Sequence, residues 1–471
     1  MTKKIWEMSA MHAHELLKKK EISAVEILEI SIKRIEEVDG HLNALPERCF
    51  ARARELASNI DKNSSPKFQS NLLGLPIAVK DYNDLSGVRT TFGSTIFKNN
   101  IPKVSDRTIK LLERNGANPV AKSNVPEWAG GHTFNSVNGL TRNPWDISKS
   151  AGGSSGGSAS ALASGQIFLA TGNDLGGSLR TPAGFNGVVG LRPSPGLIPR
   201  GDRYMPFDTL WVEGPMARTV EDIALMLDSM VGHDIGDPLS FNSKTGCFIE
   251  SLKKDLNPIS IAVSEDLNLV PVDSEVRKVF KTAIKKLSKL GLDINDDIPN
   301  FFGVLDAFKT LRGVLMASML GDLVKNHKDS ILEDIRKNVQ VGFDAKSLDI
   351  IEAEKIRRKL IINMENFFKK HNFLICPSAS VPPFSVDKPF VTEIDGHKCE
   401  TYIDWFSITF AITMTSCPTL CIPCGFTEKG LPIGIQVVAA PRQEASLINF
   451  GHKLQTIFEI SDQLPISPRT Y

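Results

Sequence analysis

Apolar positions along the chain switch between two spacings. Val25, Leu28, Ile32 and Ile35 recur every three or four residues behind Ser23 and Glu26, which predicts a helix opened by a capping box and ending near Asp39 and Gly40. A shorter helix is expected before it, over residues 10–20. Residues 75–79 (LPIAV) form an unbroken apolar run that reads as a buried strand delivering Lys80 and Asp81 at its C-terminal end. A helix over residues 105–115 and a strand over 118–121 continue the alternation. Later helices are predicted over 219–231, 302–326, 348–371 and 444–458, and strands over 259–263, 373–376, 420–423 and 433–438. The helix with Val276, Phe280, Ala283, Leu287 and Leu290 on one face is stopped by Gly291. Residues 61–70 read as an exposed loop and 239–257 as a linker. This order predicts a single large α/β domain, a central mixed β-sheet covered by helices on both faces.

Lys and Arg number 55 against 54 Asp and Glu, so no basic field calls for nucleic acid or an anionic membrane surface. Seven scattered cysteines, an odd number, argue against a disulfide framework and for a reducing, cytoplasmic setting. Cys417, Cys421 and Cys424 flank a buried strand without a histidine pair at metal-ligand spacing, so they are read as core. Residues 405–425 carry no charge, but Pro418, Pro423 and several hydroxyl residues break the run. It is read as a core helix followed by a strand, not a membrane span.

The chemistry concentrates in residues 151–190, where two glycine-rich serine loops flank a small-residue helix and an apolar run. Ser178 follows a strand and precedes Leu179 and Arg180, which places it at a helix N-terminus where free N–H groups favour a developing negative charge. Either it is a nucleophile with an oxyanion hole from the N–H groups of Leu175, Gly176, Gly177 and Ser178, or it caps a turn. Lys80 at the end of an apolar strand is either a desolvated, neutral base or a lysine whose amine reaches solvent. The loop from Gly152 to Ser158 lacks the lysine of a phosphate-binding loop. Residues 152–156 fit G-x-S-x-G, yet the polar, turn-like residues 144–151 supply no strand before them. A third reading makes one of these serines a proton relay between Lys80 and Ser178.

Lys80 within GLPIAVKDYNDLSGVRTTFGS, the GGSSGGSA loop, and GNDLGGSLRTPAGFNGVVGLRPS together resemble the amidase signature family. AKSNVPEWA, NSVNGLTRNPWD and GPMARTVEDIALML are similar to its surrounding segments. The resemblance implies a Ser–cis-Ser–Lys triad: Lys80 as base, Ser154 as relay on a cis peptide, and Ser178 as nucleophile, 24 residues after the relay. It places Ser155 beside Lys80 or Ser154. Read from the residues themselves, Asp174 and Arg180 hold the nucleophile loop in place, with a surface ion pair as the competing reading. The resemblance further implies a small-molecule amide substrate, a monomer or homodimer, no direct nucleic-acid or membrane contact, and no metal or organic cofactor. Asn173 stands where the family often has threonine, and Ala151 where it often has proline.

Trp128, His132 and Trp211 are candidates to line the substrate pocket, a loop residue without such a role being the competing reading for Trp128 and His132, and acyl specificity is assigned to residues 301–316, 378–406 and the segment near Trp211. Their many apolar side chains predict apolar or aryl amides over small charged ones. Two alternatives accompany hydrolysis: the glutaminase-type component of a tRNA-dependent amidotransferase, and a binding module that has lost activity.

Overall fold

Eleven strands share one sheet in the computed structural model, which describes residues 4–62, 71–201, 204–256, 259–288 and 292–470. From one edge the order is Glu47–Arg48, Asn118–Ser123, Pro76–Lys80, Leu169–Asp174, Val212–Ala217, Val189–Arg192, Thr419–Phe426, Pro432–Ala439, Phe373–Pro377, Ser260–Val263 and Asp293–Asn295. Pro76–Lys80 runs parallel to both of its neighbours, whereas the middle of the sheet from Leu169–Asp174 to Phe373–Pro377 is antiparallel. The sheet is therefore mixed, as the alternation predicts.

Its central strands are buried at every position because both faces are covered. Ile77, Val79 and Leu169 pack into one apolar cluster, while their neighbours Ala78 and Ala170 point into another. The second cluster holds Leu28, Ile32 and Ile35 of the helix Ala24–Leu42 and Leu162 of Gly156–Ala163. The first holds Ile223, Phe280 and Leu447, from three other helices. Small residues in one strand face and large ones in the other set how closely each helix layer approaches.

Several boundaries differ from expectation for identifiable reasons. The capping box closes as predicted, with the Glu26 N–H donating to Ser23 Oγ and the Ser23 N–H to Glu26 Oε2; the helix continues to Leu42 before Asn43 turns left-handed. The helix Phe50–Lys62 went unpredicted, since its buried stripe is only Ala53 and Ala57. Asp61 and Lys62 end that helix, and the rest of the expected loop lies outside the described residues, as do Leu290 and Gly291. Residues 239–256 are not a free linker. Phe248 is buried, and Asp228 accepts from the N–H groups of Phe248 and Ile249 at 2.6 and 3.3 Å, capping a short helix there.

Residues 405–425 split into the helix Ser407–Thr413 and the strand Thr419–Phe426. No helix among the described residues is long and apolar enough to cross a membrane. Cys417 and Cys421 are fully buried, and burial pushes both thiols up to about 12.

Candidate active site

Two parallel strands end at one edge and set the site. Ile77 lies opposite Leu169 and Ala78 opposite Ala170, so Lys80 finishes beside the end of Leu169–Asp174. Its backbone N–H donates to Thr171 Oγ1 at 2.8 Å. The side chain is wholly buried. Its Nζ lies 2.7 Å from Ser154 Oγ, 2.8 Å from Ser155 Oγ and 2.6 Å from Asn173 Oδ1. Burial pushes the amine down to about 7, against the pull of Glu213 and Asp174 toward the charged form. A neutral amine has two N–H donors and one lone pair. Asn173 Oδ1 can only accept, and Ser155 Oγ takes the second donor, which leaves the lone pair for the hydroxyl of Ser154. The asparagine that departs from the family pattern is thus a direct partner of Lys80.

The loop carrying Ser154 is held from outside. The Gly153–Ser154 peptide is cis. A Cβ on Gly153 would meet the Gly131 carbonyl oxygen at 2.3 Å, so only glycine allows the two loops this approach. Thr133 Oγ1 donates to the Gly152 carbonyl at 2.8 Å. Ser158 ties the following helix to the sheet through Ser123 Oγ and the Thr171 carbonyl, at 2.7 and 2.9 Å. Residues 144–151 are less irregular than expected: Asp146–Ser150 pairs with Arg142–Asn143 as a small hairpin. That hairpin stands apart from the central sheet, so no sheet strand feeds a nucleophile elbow at Ser154.

Ser178 sits half-buried two residues ahead of the helix Arg180–Asn186. It lines the same narrow cavity as Ser154, of about 20 Å³. No hydrogen bond from its hydroxyl to another described residue is present. Behind it, Asp174 accepts from the Gly177 and Leu179 N–H groups at 2.9 and 3.2 Å and pairs with both Arg180 and Arg192. Gly177 therefore leaves the expected oxyanion hole, because its N–H is already taken. The N–H groups of Leu175, Gly176 and Ser178 have no described partner and remain for a ligand. Thr409 Oγ1 donates to the Gly176 carbonyl at 2.6 Å, fixing the loop's other side.

Asp174, Arg180 and Arg192 are all inaccessible to solvent, so the surface ion-pair reading is corrected. Burial alone would raise the Asp174 carboxyl; the two guanidiniums override it and hold the group well below the usual carboxylate range. Breaking such a set strands buried charge. Asp174→Asn is expected to lower the unfolding free energy by about 3–5 kcal/mol in urea titration; a change within experimental error would show the arginines find other partners. Arg192 was missed in the sequence, since nothing local marks it as a partner of a residue 18 positions earlier.

Trp128, His132 and Trp211 are not among the residues lining the cavity that holds Ser154 and Ser178. Trp128 and Trp211 face a separate cavity of about 510 Å³ with Tyr82 and Glu213. Trp128 stacks on Phe92 with ring centroids 4.9 Å apart, and Trp211 Nε1 donates to Glu213 Oε1 at 3.2 Å. His132 is buried against Phe384 and underneath Gly153; burial pushes its imidazole down to about 4. The reaction-side cavity is walled instead by Ala129, Gly131, Thr181, Arg312, Trp405 and Phe406. Of the expected acyl-specificity aromatics, Phe301 and Phe308 are core and Phe302 is exposed.

The sequence and the fold both have known relatives. Residues 26–448 match the Amidase family. The chain is 30% identical to the A component of the glutamyl-tRNA(Gln) amidotransferase of Geobacillus kaustophilus (strain HTA426), over 98% of this chain and 99% of that one. The corresponding amidotransferase chain of Trichormus variabilis is 32% identical over 94% of this chain and 96% of its own length. Among solved structures, a bacterial aryl acylamidase superposes with a TM-score of 0.89 at 25% identity, covering 98% and 99% of the two chains. The A component of the Thermotoga maritima glutamyl-tRNA(Gln) amidotransferase superposes with a TM-score of 0.73 at 25% identity, covering 95% and 94%. The chain belongs to the amidase signature family.

Proposed function

We propose that this protein hydrolyses a carboxylic amide through an acyl-enzyme on Ser178. The observation that carries this reading is a buried Lys80 amine 2.7 Å from Ser154 Oγ, with Ser154 and Ser178 walling one cavity. Neutral Lys80 receives a proton from Ser154, which takes one from Ser178 as its oxygen attacks the amide carbonyl. Substrate brings the two hydroxyls together, as catalytic hydrogen bonds commonly tighten in the Michaelis complex. The oxyanion rests on the N–H groups of Leu175, Gly176 and Ser178, each such donor contributing roughly 2.7–4 kcal/mol. Ser154 then gives its proton to the leaving nitrogen as the C–N bond breaks and takes one back from Lys80, which is neutral again. Water, deprotonated by the same relay, splits the ester to acid and free Ser178.

A second reading, the glutaminase component of an amidotransferase, has the amidotransferase relatives in its favour at 30% and 32% identity. Both readings have solved relatives, an acylamidase at a TM-score of 0.89 and an amidotransferase component at 0.73. The isolated chain is expected to release acid and ammonia or amine from simple amides without partner chains. Assaying phenylacetamide-like, long-chain and small amides alongside glutamine decides the matter. Glutamine as the fastest substrate, or activity appearing only with partner chains, would give the second reading.

A further inference from the structure

The wall of the reaction cavity includes a charged group that the apolar pattern conceals. Arg312 lies in the helix Val304–Asn326 and is 2% exposed. One turn earlier on the same face, Phe308 packs on Phe410 with ring centroids 4.1 Å apart and approaches Gly176 of the nucleophile loop. Arg312 is thereby set beside the cavity that contains Ser178, with Trp405 and Phe406 completing the wall. Its guanidinium is aimed by two neutral partners from other segments. Nη2 donates to Tyr402 Oη at 2.7 Å and Nη1 to Asn338 Oδ1.

Among the described residues no carboxylate lies within ion-pairing distance of Arg312. Asp404, close in sequence to Trp405, is paired with Lys309 at 3.1 Å. The other buried arginines of the site are paired: Arg180 and Arg192 share Asp174. A guanidinium out of water and without a counter-ion is unfavourable unless an anion joins it. It offers five N–H donors in a fork that matches a carboxylate, and only two are engaged here.

We infer that Arg312 selects a substrate that carries a carboxylate a few bonds from its scissile amide, and that it binds this carboxylate within the reaction cavity. The inference rests on the amide-hydrolysis reading and names its substrate class. Arg312 and Ser178 line the same cavity, so a group carried by the scissile amide shares one enclosure with the guanidinium. Trp405 and Phe406 contact the methylene stem between amide and anion.

Two matched pairs test it, each replacing a methyl by a carboxylate: succinamate against butyramide, and N-acetylglycine against N-ethylacetamide. The first pair carries the anion on the acyl side, the second on the amine side. In one pair kcat/KM for the anionic amide is expected to exceed its neutral partner by about 10- to 100-fold. Arg312→Gln is expected to collapse that ratio to about 1, and Arg312→Lys to keep part of it, since an ammonium supplies charge without the fork. Equal turnover of anionic and neutral amides, or a ratio unmoved in Arg312→Gln, would overturn the assignment alone. No turnover of the four beside turnover of phenylacetamide would likewise overturn the assignment alone; no turnover of any of these amides, phenylacetamide included, would overturn the hydrolase reading with it.

Discussion

Ser178→Ala is expected to lower amide hydrolysis by about 10⁴–10⁶-fold, the scale seen when a serine nucleophile is removed from a catalytic unit. The same change should abolish covalent modification by a fluorophosphonate, read as the mass of the intact protein. The prediction is sharp because two serines share the cavity and only one has the surroundings of a nucleophile. Ser154 Oγ lies 2.7 Å from Lys80 Nζ, as the proposed relay requires. Ser178 is half-buried, faces the cavity and sits between free backbone N–H donors and a helix N-terminus. A tetrahedral oxyanion formed there would lie beside the N–H groups of Leu175, Gly176 and Ser178. Removing a hydroxyl that has no described hydrogen bond leaves the loop itself intact, because Asp174 and Thr409 hold it through backbone contacts. Label retained in Ser178→Ala, or found on Ser154 in the native chain, would exchange the two roles.

What could be read from the chain beforehand follows the range of the forces involved. Strands such as Pro76–Lys80 and helices such as Glu444–Phe458 show in the sequence because burial on one face writes a local period. The helix Glu333–Asp344 does not show, since Ile335 and Val339 are its only buried positions and the rest is polar. Lys80, Ser154 and Ser178 were legible for a different reason. Each lies in a glycine-rich or strand-end motif whose local geometry is itself the requirement. The residues that finish the site come from far along the chain. Thr409 reaches Gly176 across 233 positions and Arg180 reaches Gln436 across 256, separations for which no local pattern exists. Residue type misled in the pocket. Trp128 and Trp211 have the size of pocket residues but pack with Phe92 and Tyr82 beside another cavity. Arg312 has the polarity of a surface residue, yet it occupies the buried face of an apolar helix.

Lys80→Met retains the length of the buried stem and deletes only the amine. The rate at pH 7 is expected to fall by about 10²–10⁴-fold, the contribution of a positioned general base. The pH dependence carries the argument further. In the native chain, burial disfavours the ammonium and brings the amine down to about 7. The neutral, proton-accepting form is therefore half-populated near that pH and grows as pH rises, so kcat/KM should climb through an acid limb centred near 7. His132 cannot supply this limb, for burial pushes it to about 4. Nor can Asp174, whose two arginines keep it ionised throughout. Glu213 is buried, is pushed upward by its own desolvation and acts on Lys80 through space. Its protonation alters the position of the limb, while Lys80 determines whether one exists. The Met variant should thus lose both the rate and the limb while its thermal unfolding still reports a folded protein. A residual rate that keeps the native limb would give that ionisation to Glu213 and take the amine out of the proton path.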